Sequence, residues 1–270
     1  MRATEREGGK TVRPVVVIKC GGSIISELSD SFFSSIHSLK NSGWNVVLVH
    51  GGGPDITNTL KQMKIQTEFK NGQRKTTKEV LHVVQMTLAG KLNKQLAGEC
   101  QRRGLSAVGL SGQDAGLLTA RILDEELLGL VGGIEKVNTD VLELLLNQNY
   151  IPVIAPLGVT EAFETLNVNA DTAAAAIAQA LNADKLLFVT DVDGILNNGE
   201  LICETDPAEI EGCIKSGIIS GGMIPKAEAA VNSLSGTLKE VVIVNGKKAF
   251  LKDNEFFGTK ICPNKEAAAG

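Results

Sequence analysis

The chain has 270 residues, 43% of them apolar and 21% charged, and a net charge of −4. That length buries a sizeable core and suits one large α/β domain or two lobes. The mild acidity and the lack of Lys/Arg runs argue against nucleic acid and anionic membranes as partners. Any bound anion must be met by a local cluster of donors.

Residues 1–13 are polar and charged and read as a flexible leader. The apolar run behind them, 15–18, is too short for a signal core or a membrane span. Val15-Val16-Val17-Ile18 is a continuous β-branched run, which predicts a buried strand. It ends in Lys19-Cys20-Gly21-Gly22-Ser23, and Asp30 opens a helical pattern. Strand, glycine turn and helix make the grammar of a phosphate site, where bare N–H groups face an anion. The same grammar serves a plain strand-to-helix turn. Phe32, Phe33, Ile36 and Leu39 repeat at helical spacing, and Gly43 ends that helix. Residues 46–50 predict a second buried strand. Gly51-Gly52-Gly53-Pro54 follows, with Pro54 in the first turn of a short helix.

Residues 67–77 are polar, turn at Asn71-Gly72 and carry Arg74. A long helix is predicted over 77–103, with Val80, Val83, Val84, Leu88, Leu92 and Leu96 on one face. Further along, the patterns predict a strand at 107–110, hairpins within 113–136, a helix over 141–146 and a strand over 151–156. Asn167-Val168-Asn169-Ala170-Asp171 precedes an alanine-rich helix, 172–181. The strand 185–190 ends in Asp191-Val192-Asp193-Gly194. Helices over 208–215 and 226–235 and a last strand, 241–244, complete the pattern.

Strands alternate with helices, and most strands are unbroken apolar runs. The pattern predicts an α/β fold: a three-layer α/β/α sandwich around an open, mainly parallel sheet. The Gly- and Asp-rich turns fall at strand C-terminal ends, where such sheets bind ligands. The turn chemistry changes from Gly-rich to Asp-rich near 180–185. We therefore expect an N-terminal lobe over 14–182, a C-terminal lobe over 183–265 and a short tail over 266–270. Five cysteines without a CxxC suggest neither a disulfide framework nor a zinc site, which fits the cytoplasm.

Neither a GxxxxGK[ST] nor a GxGxxG pattern supports the common nucleotide folds. His50-Gly51-Gly52-Gly53 matches the oxyanion motif of some esterases. The nearest nucleophile elbow, Gly109-Leu110-Ser111-Gly112-Gln113, lacks its last glycine. Lys19 and Lys226 each lie near a glycine pair, and together they would bind an anion strongly. They would also repel each other, which calls for a carboxylate between them. Asp171 is the natural candidate, with a helix N-cap as its other reading. Asn167 and Asn169 read as ligand-binding amides or as turn residues. Arg74 reads as a carboxylate partner or as an exposed surface arginine. Asp191 and Asp193 lack the EF-hand spacing and read as a nucleotide-binding or a structural turn. The histidines His37, His50 and His82 form no catalytic pattern.

Taken in order, the segments Lys19–Ser23, His50–Pro54, Asn71–Arg74, Asn167–Asp171, Thr190–Gly194 and Gly221–Lys226 resemble the amino acid kinase family, in its acetylglutamate kinase branch. The resemblance spans about residues 14–262. It implies that the N-terminal lobe holds N-acetyl-L-glutamate and the C-terminal lobe holds ATP. It also implies that Lys19 and Lys226 stabilise the transferring phosphoryl group, that Asp171 positions both, and that Gly22 donates an N–H. Gly52, Gly53, Arg74, Asn167 and Asn169 would bind the acceptor. The nucleotide would be lined by Asp191, Val192, Asp193, Gly194, Ile195 and Leu196, with Ile218, Ile219, Ser220 and Met223. Mg2+ would arrive on the ATP phosphates. The family's arginine-sensitive members carry a long N-terminal helix, whereas here only about thirteen polar residues precede the first strand, so the resemblance further implies a homodimer without strong arginine inhibition.

An acceptor carboxylate with a pKa near about 4 is ionised at neutral pH, so the chemistry needs no general base. The rival readings are a hydrolase built on His50, a non-catalytic ligand sensor, and a kinase of a related carboxylate such as a modified aminoadipate, aspartate or glutamate. One methylene of acceptor length is beyond what such patterns resolve.

Overall fold

The continuous apolar runs become neighbouring strands of one sheet in the computed structural model, which describes residues 13–70 and 72–263. The expected leader, Arg13 apart, lies outside the described residues, as do Asn71 and the expected tail. The sheet has eight strands, in the order Glu204–Thr205, Thr259–Ile261, Val241–Asn245, Lys185–Thr190, Val15–Cys20, Asn45–His50, Ile151–Ala155 and Ala107–Ser111. All neighbours are parallel except Val241–Asn245 with Thr259–Ile261.

Along Val15–Cys20, the side chains of Val16, Ile18 and Cys20 enter one core and that of Val17 enters another. The first core holds Phe32, Ile36, Leu88 and Leu96 from two helices; the second holds Ala173, Ile177, Ala227 and Ala230 from two others. Burial on both faces is why the strands read as unbroken apolar runs. The three-layer sandwich expected from the sequence is therefore present.

Three departures bear on the site. The predicted helix over 77–103 is continuous but not uniform. An α-helix, Lys78–Gln85, passes into a π-helix, Met86–Leu92, and returns to an α-helix, Asn93–Arg102. The predicted hairpin pairs Leu118–Ile122 with Val131–Val137. These strands close into a four-stranded barrel with Leu157–Val159 and Thr165–Val168. Closure needs glycine at the tight crossings: a Cβ on Gly158 would lie 2.9 Å from that of Ala120. The helices expected over 172–181 and 226–235 begin earlier, at Ala170 and Met223.

The sheet runs through the division expected near 180–185, since Lys185–Thr190 pairs directly with Val15–Cys20. The C-terminal ends of Val15–Cys20, Asn45–His50 and Lys185–Thr190 share one edge of the sheet.

Candidate active site

The two glycine turns meet backbone to backbone. A Cβ on Gly22 would lie 2.6 Å from the nitrogen of Gly52, and a Cβ on Gly52 would lie 2.5 Å from Leu88 Cδ2. Glycine at both positions is a packing requirement, because Gly52 itself is in extended backbone. No acceptor among the described residues takes the N–H of Gly22 or of Gly52. The helix Gly53–Gln62 starts there without a side-chain cap. Bare N–H donors at a helix start suit an anion.

These turns form the floor of a cleft of about 240 Å³. Lys19, Gly22, Gly52, Gly53, Arg74, Asn167, Asn169 and Asp171 all line it, so the structure brings together eight of the residues singled out from the sequence. Leu88, Val131, Pro156 and Val168 supply apolar wall.

Lys19 Nζ lies 2.7 Å from Asp171 Oδ1. The N-cap reading of Asp171 is replaced: Asn169 Oδ1 accepts from the N–H groups of Asp171 and Thr172 and caps the helix Ala170–Ala180. With the cap made by Asn169, the carboxylate of Asp171 in the first turn is free to meet Lys19, and it also favours the positive end of the helix.

Arg74 is 6% exposed, which replaces the surface reading. Its Nη1 donates to Thr67 Oγ1 at 2.8 Å, and Nη2 donates to Thr57 Oγ1 at 2.7 Å and to the carbonyl of Gly53 at 3.1 Å. The ring of Phe69, across the hairpin of Phe69–Lys70 and Gln73–Arg74, lies 4.6 Å from its Cζ. Burial pulls its pKa down, but a guanidinium stays charged in a protein. Every partner is neutral. Asn167 is also held from behind, its Nδ2 donating to Thr76 Oγ1 at 3.0 Å, and Thr76 in turn donates to the carbonyl of Arg74.

Lys226 does not share this cleft. Its Nζ lies 3.0 Å from Asp191 Oδ1, so Asp171 meets Lys19 alone. The bond from Lys226 holds the Asp191 carboxyl below its ordinary range. Asp171 also borders a second cleft, of about 710 Å³, between its own helix and Met223–Ser233, with Pro225 opposite. Asp193 is engaged by Asn245 Nδ2 at 2.8 Å and Lys248 Nζ at 2.7 Å, which lower its carboxyl as well. Gly194 has φ +145° and crosses Thr259 too closely for any side chain. Ile195 and Ile219 are packed in the second core, whereas Leu196 and Ile218 are partly exposed. Val192 and Met223 are half-buried and Ser220 is exposed.

The esterase reading has no geometry behind it. His50 is fully buried, and Ser111 is tied to Asp114 by both its N–H and its hydroxyl. Sequence reasoning missed Thr57, Thr67 and Thr76 around Arg74. Isolated threonines carry no pattern, and only the fold brings Thr57 and Thr67 to the guanidinium and Thr76 to the main-chain carbonyl of Arg74.

An open α/β/α sandwich with a lysine–carboxylate pair and bare glycine N–H groups at the strand ends is a phosphoryl-transfer architecture. The chain belongs to the amino acid kinase family, whose profile matches residues 14–245. Acetylglutamate kinase of Bacillus licheniformis is 55% identical over 261 residues, 97% of this chain and 100% of that protein. Acetylglutamate kinase of Bacillus subtilis (strain 168) is 51% identical over 258 residues, 96% and 100% respectively. A solved structure from Streptococcus mutans UA159 has a TM-score of 0.80 at 32% identity, covering 93% of this chain and 99% of that one. Carbamate kinase from Giardia lamblia bound to AMP-PNP shares the fold, with a TM-score of 0.65 at 18% identity and coverage of 93% and 99%.

Proposed function

We propose that this chain transfers the γ-phosphoryl group of ATP to the side-chain carboxylate of N-acetyl-L-glutamate, in arginine biosynthesis. The observation that carries the reading is Arg74: a buried guanidinium on the wall of the cleft with only neutral partners, in a chain 51–55% identical to acetylglutamate kinases. A cation so placed suits a carboxylate ligand, which accepts charge-assisted bonds from the N–H groups that the neutral partners leave.

In this reading Arg74 and Asn167 hold the acceptor, with Asn169 beside them, and turn its side-chain carboxylate toward Gly22 and Gly52. A carboxylate oxygen attacks the γ-phosphorus, the bond to the leaving ADP oxygen breaks, and an acyl phosphate forms. No proton moves, so no general base is needed. Lys19 and the N–H groups of Gly22, Gly52 and Gly53 would offset charge on the phosphoryl oxygens. Asp171 keeps Lys19 aimed. Lys226 would leave Asp191 for the phosphates as the nucleotide settles against residues 191–196 and 218–223. Mg2+ would come bound to ATP; the described residues contain no cluster of three or more His, Cys, Asp or Glu side chains that could hold a metal ion.

We further place the protein as a homodimer in the cytoplasm, which sedimentation and fractionation test. Among the described residues, no helix is long and apolar enough to cross a membrane. The central experiment incubates the protein with Mg-ATP and a panel of carboxylates and traps acyl phosphate with hydroxylamine. Hydroxamate from N-acetyl-L-glutamate, and not from glutamate, aspartate or aminoadipate, is expected. Silence across the panel would sink the reading.

A further inference from the structure

His50 is a fully buried titratable side chain next to the site, and phosphoryl transfer to a carboxylate gives it no task. It ends the strand Asn45–His50, one residue before the glycine turn. It sits on the same strand face as Leu48, toward the first core, and stands in register with Cys20. No solvent reaches it.

Its proton can be assigned from the neighbours. Asn93 Nδ2 lies 2.8 Å from the carbonyl of Val153 and 3.0 Å from that of Leu110. Two carbonyl acceptors require the nitrogen of that amide there, not its oxygen. His50 Nε2 faces the same nitrogen at 3.3 Å; an amide nitrogen accepts no hydrogen bond, so Nε2 carries no hydrogen and shares the two amide hydrogens with the carbonyls. The ring is then the neutral Nδ1–H tautomer, and Nδ1 donates to the carbonyl of Gly51 at 2.9 Å. Burial pushes the imidazole pKa down to about 4, which keeps the ring neutral. The thiol facing it, Cys20, is pushed up to about 12 by burial and is neutral too.

The carbonyl of Gly51 and the N–H of Gly52 belong to one peptide unit. The described chain has no cis peptide, so the two point in opposite directions. A donor that pulls the carbonyl down toward the core therefore aims the N–H of Gly52 up into the cleft. Gly51 and Gly52 have no side chains to fix that plane themselves. The π-helix Met86–Leu92 completes the support: Leu88 and Leu92 press on Gly52, and Asn93 follows directly beneath His50.

We propose that His50, held by Asn93, is a positioning residue that orients the Gly51–Gly52 peptide so that its N–H faces the transferring phosphoryl group. The proposal rests on the function given above for the role of that N–H, but the tautomer does not. Two measurements separate the two claims. Nitrogen NMR of the wild-type imidazole is expected to show the neutral Nδ1–H form, unchanged between pH 5.5 and pH 8. An Nε2–H tautomer, or titration near the ordinary value of about 6.5, overturns the proposal whatever the activity. In the acyl-phosphate assay, His50→Leu is expected to lower kcat about 10- to 100-fold. That is less than outright deletion of an oxyanion donor, because the N–H remains but is no longer aimed. The KM values for both substrates should stay within about threefold. His50→Asn, whose amide nitrogen sits near the place of Nδ1, is expected to recover most of that loss. Equal impairment of the Leu and Asn variants would mean packing alone, and an unimpaired Leu variant would remove His50 from the reaction. A wild-type protein that phosphorylates no carboxylate while keeping the Nδ1–H form would overturn the function and leave the orientation of the peptide standing.

Discussion

Arg74 and Lys226 divide the work at the scale of single residues. Arg74 touches only neutral atoms, so its charge is available to a ligand in both ground and transition states. Arg74→Ala should raise the KM for N-acetyl-L-glutamate about 10- to 100-fold, the equivalent of one or two charge-assisted bonds, with a smaller change in kcat. Arg74→Lys keeps the charge but loses the fork and should recover little of the loss. Lys226 is held by Asp191, outside the acceptor cleft, and is required only as charge shifts on the phosphates. Lys226→Ala should cut kcat by about 100-fold or more with the acceptor KM nearly unchanged. Steady-state kinetics in both substrates decide both claims. A Lys226→Ala variant with intact kcat would take that lysine out of the chemistry.

At the scale of elements, the segment 78–102 shapes the glycine loop. A π turn holds one residue more than an α-helix would over the same length. That residue lets Leu88 and Leu92 both press on Gly52 while Asn93 comes under His50. Deleting Gly90, at which a Cβ would meet nothing within 4 Å, should leave a regular helix and nearly unchanged far-ultraviolet circular dichroism. Activity should fall by at least about tenfold, because the residues beyond the deletion turn away from the glycine loop. Full activity in the deletion variant would show that the π turn is incidental. The heptad-like apolar stripe of this segment was legible in the sequence; the extra residue was not, because Leu88, Leu92 and Leu96 fit an ordinary α-helix equally well.

At the scale of the whole molecule, His50 links the site to stability. Its folded pKa is about 4 against an ordinary 6.5. Between those values the unfolded chain binds a proton that the folded chain does not, so stability falls as pH drops through that window. The loss amounts to about 3 kcal/mol from this group, and nothing further below the lower value. Urea unfolding at pH 7, 5.5 and 4 should show a shallower decline for His50→Asn than for wild type, and equal declines would be evidence against a buried neutral ring. Ligands acting across the shared sheet edge should also stabilise the fold by mass action. Both AMP-PNP with Mg2+ and N-acetyl-L-glutamate should raise the melting temperature, each in proportion to the logarithm of its concentration above Kd.

The sequence by itself determined which runs become strands, that the sheet is mainly parallel, and that its glycine turns gather at one end. Val15–Ile18, Val46–Val49 and Leu186–Val189 carry that information locally, because a strand buried on both faces must be apolar throughout. The ordered glycine, asparagine and aspartate turns pointed to the family for the same reason: each is a short, self-contained piece of backbone chemistry. Only the tertiary structure decided the partners. That Asp171 meets Lys19, that Lys226 rests on Asp191, that the neutral Thr57 takes the Arg74 guanidinium, and that His50 faces Asn93 are all matters of distance between residues well separated in the chain. Charges and hydrogen bonds act over a few ångströms, and those ångströms exist only once the sheet has brought the segments together.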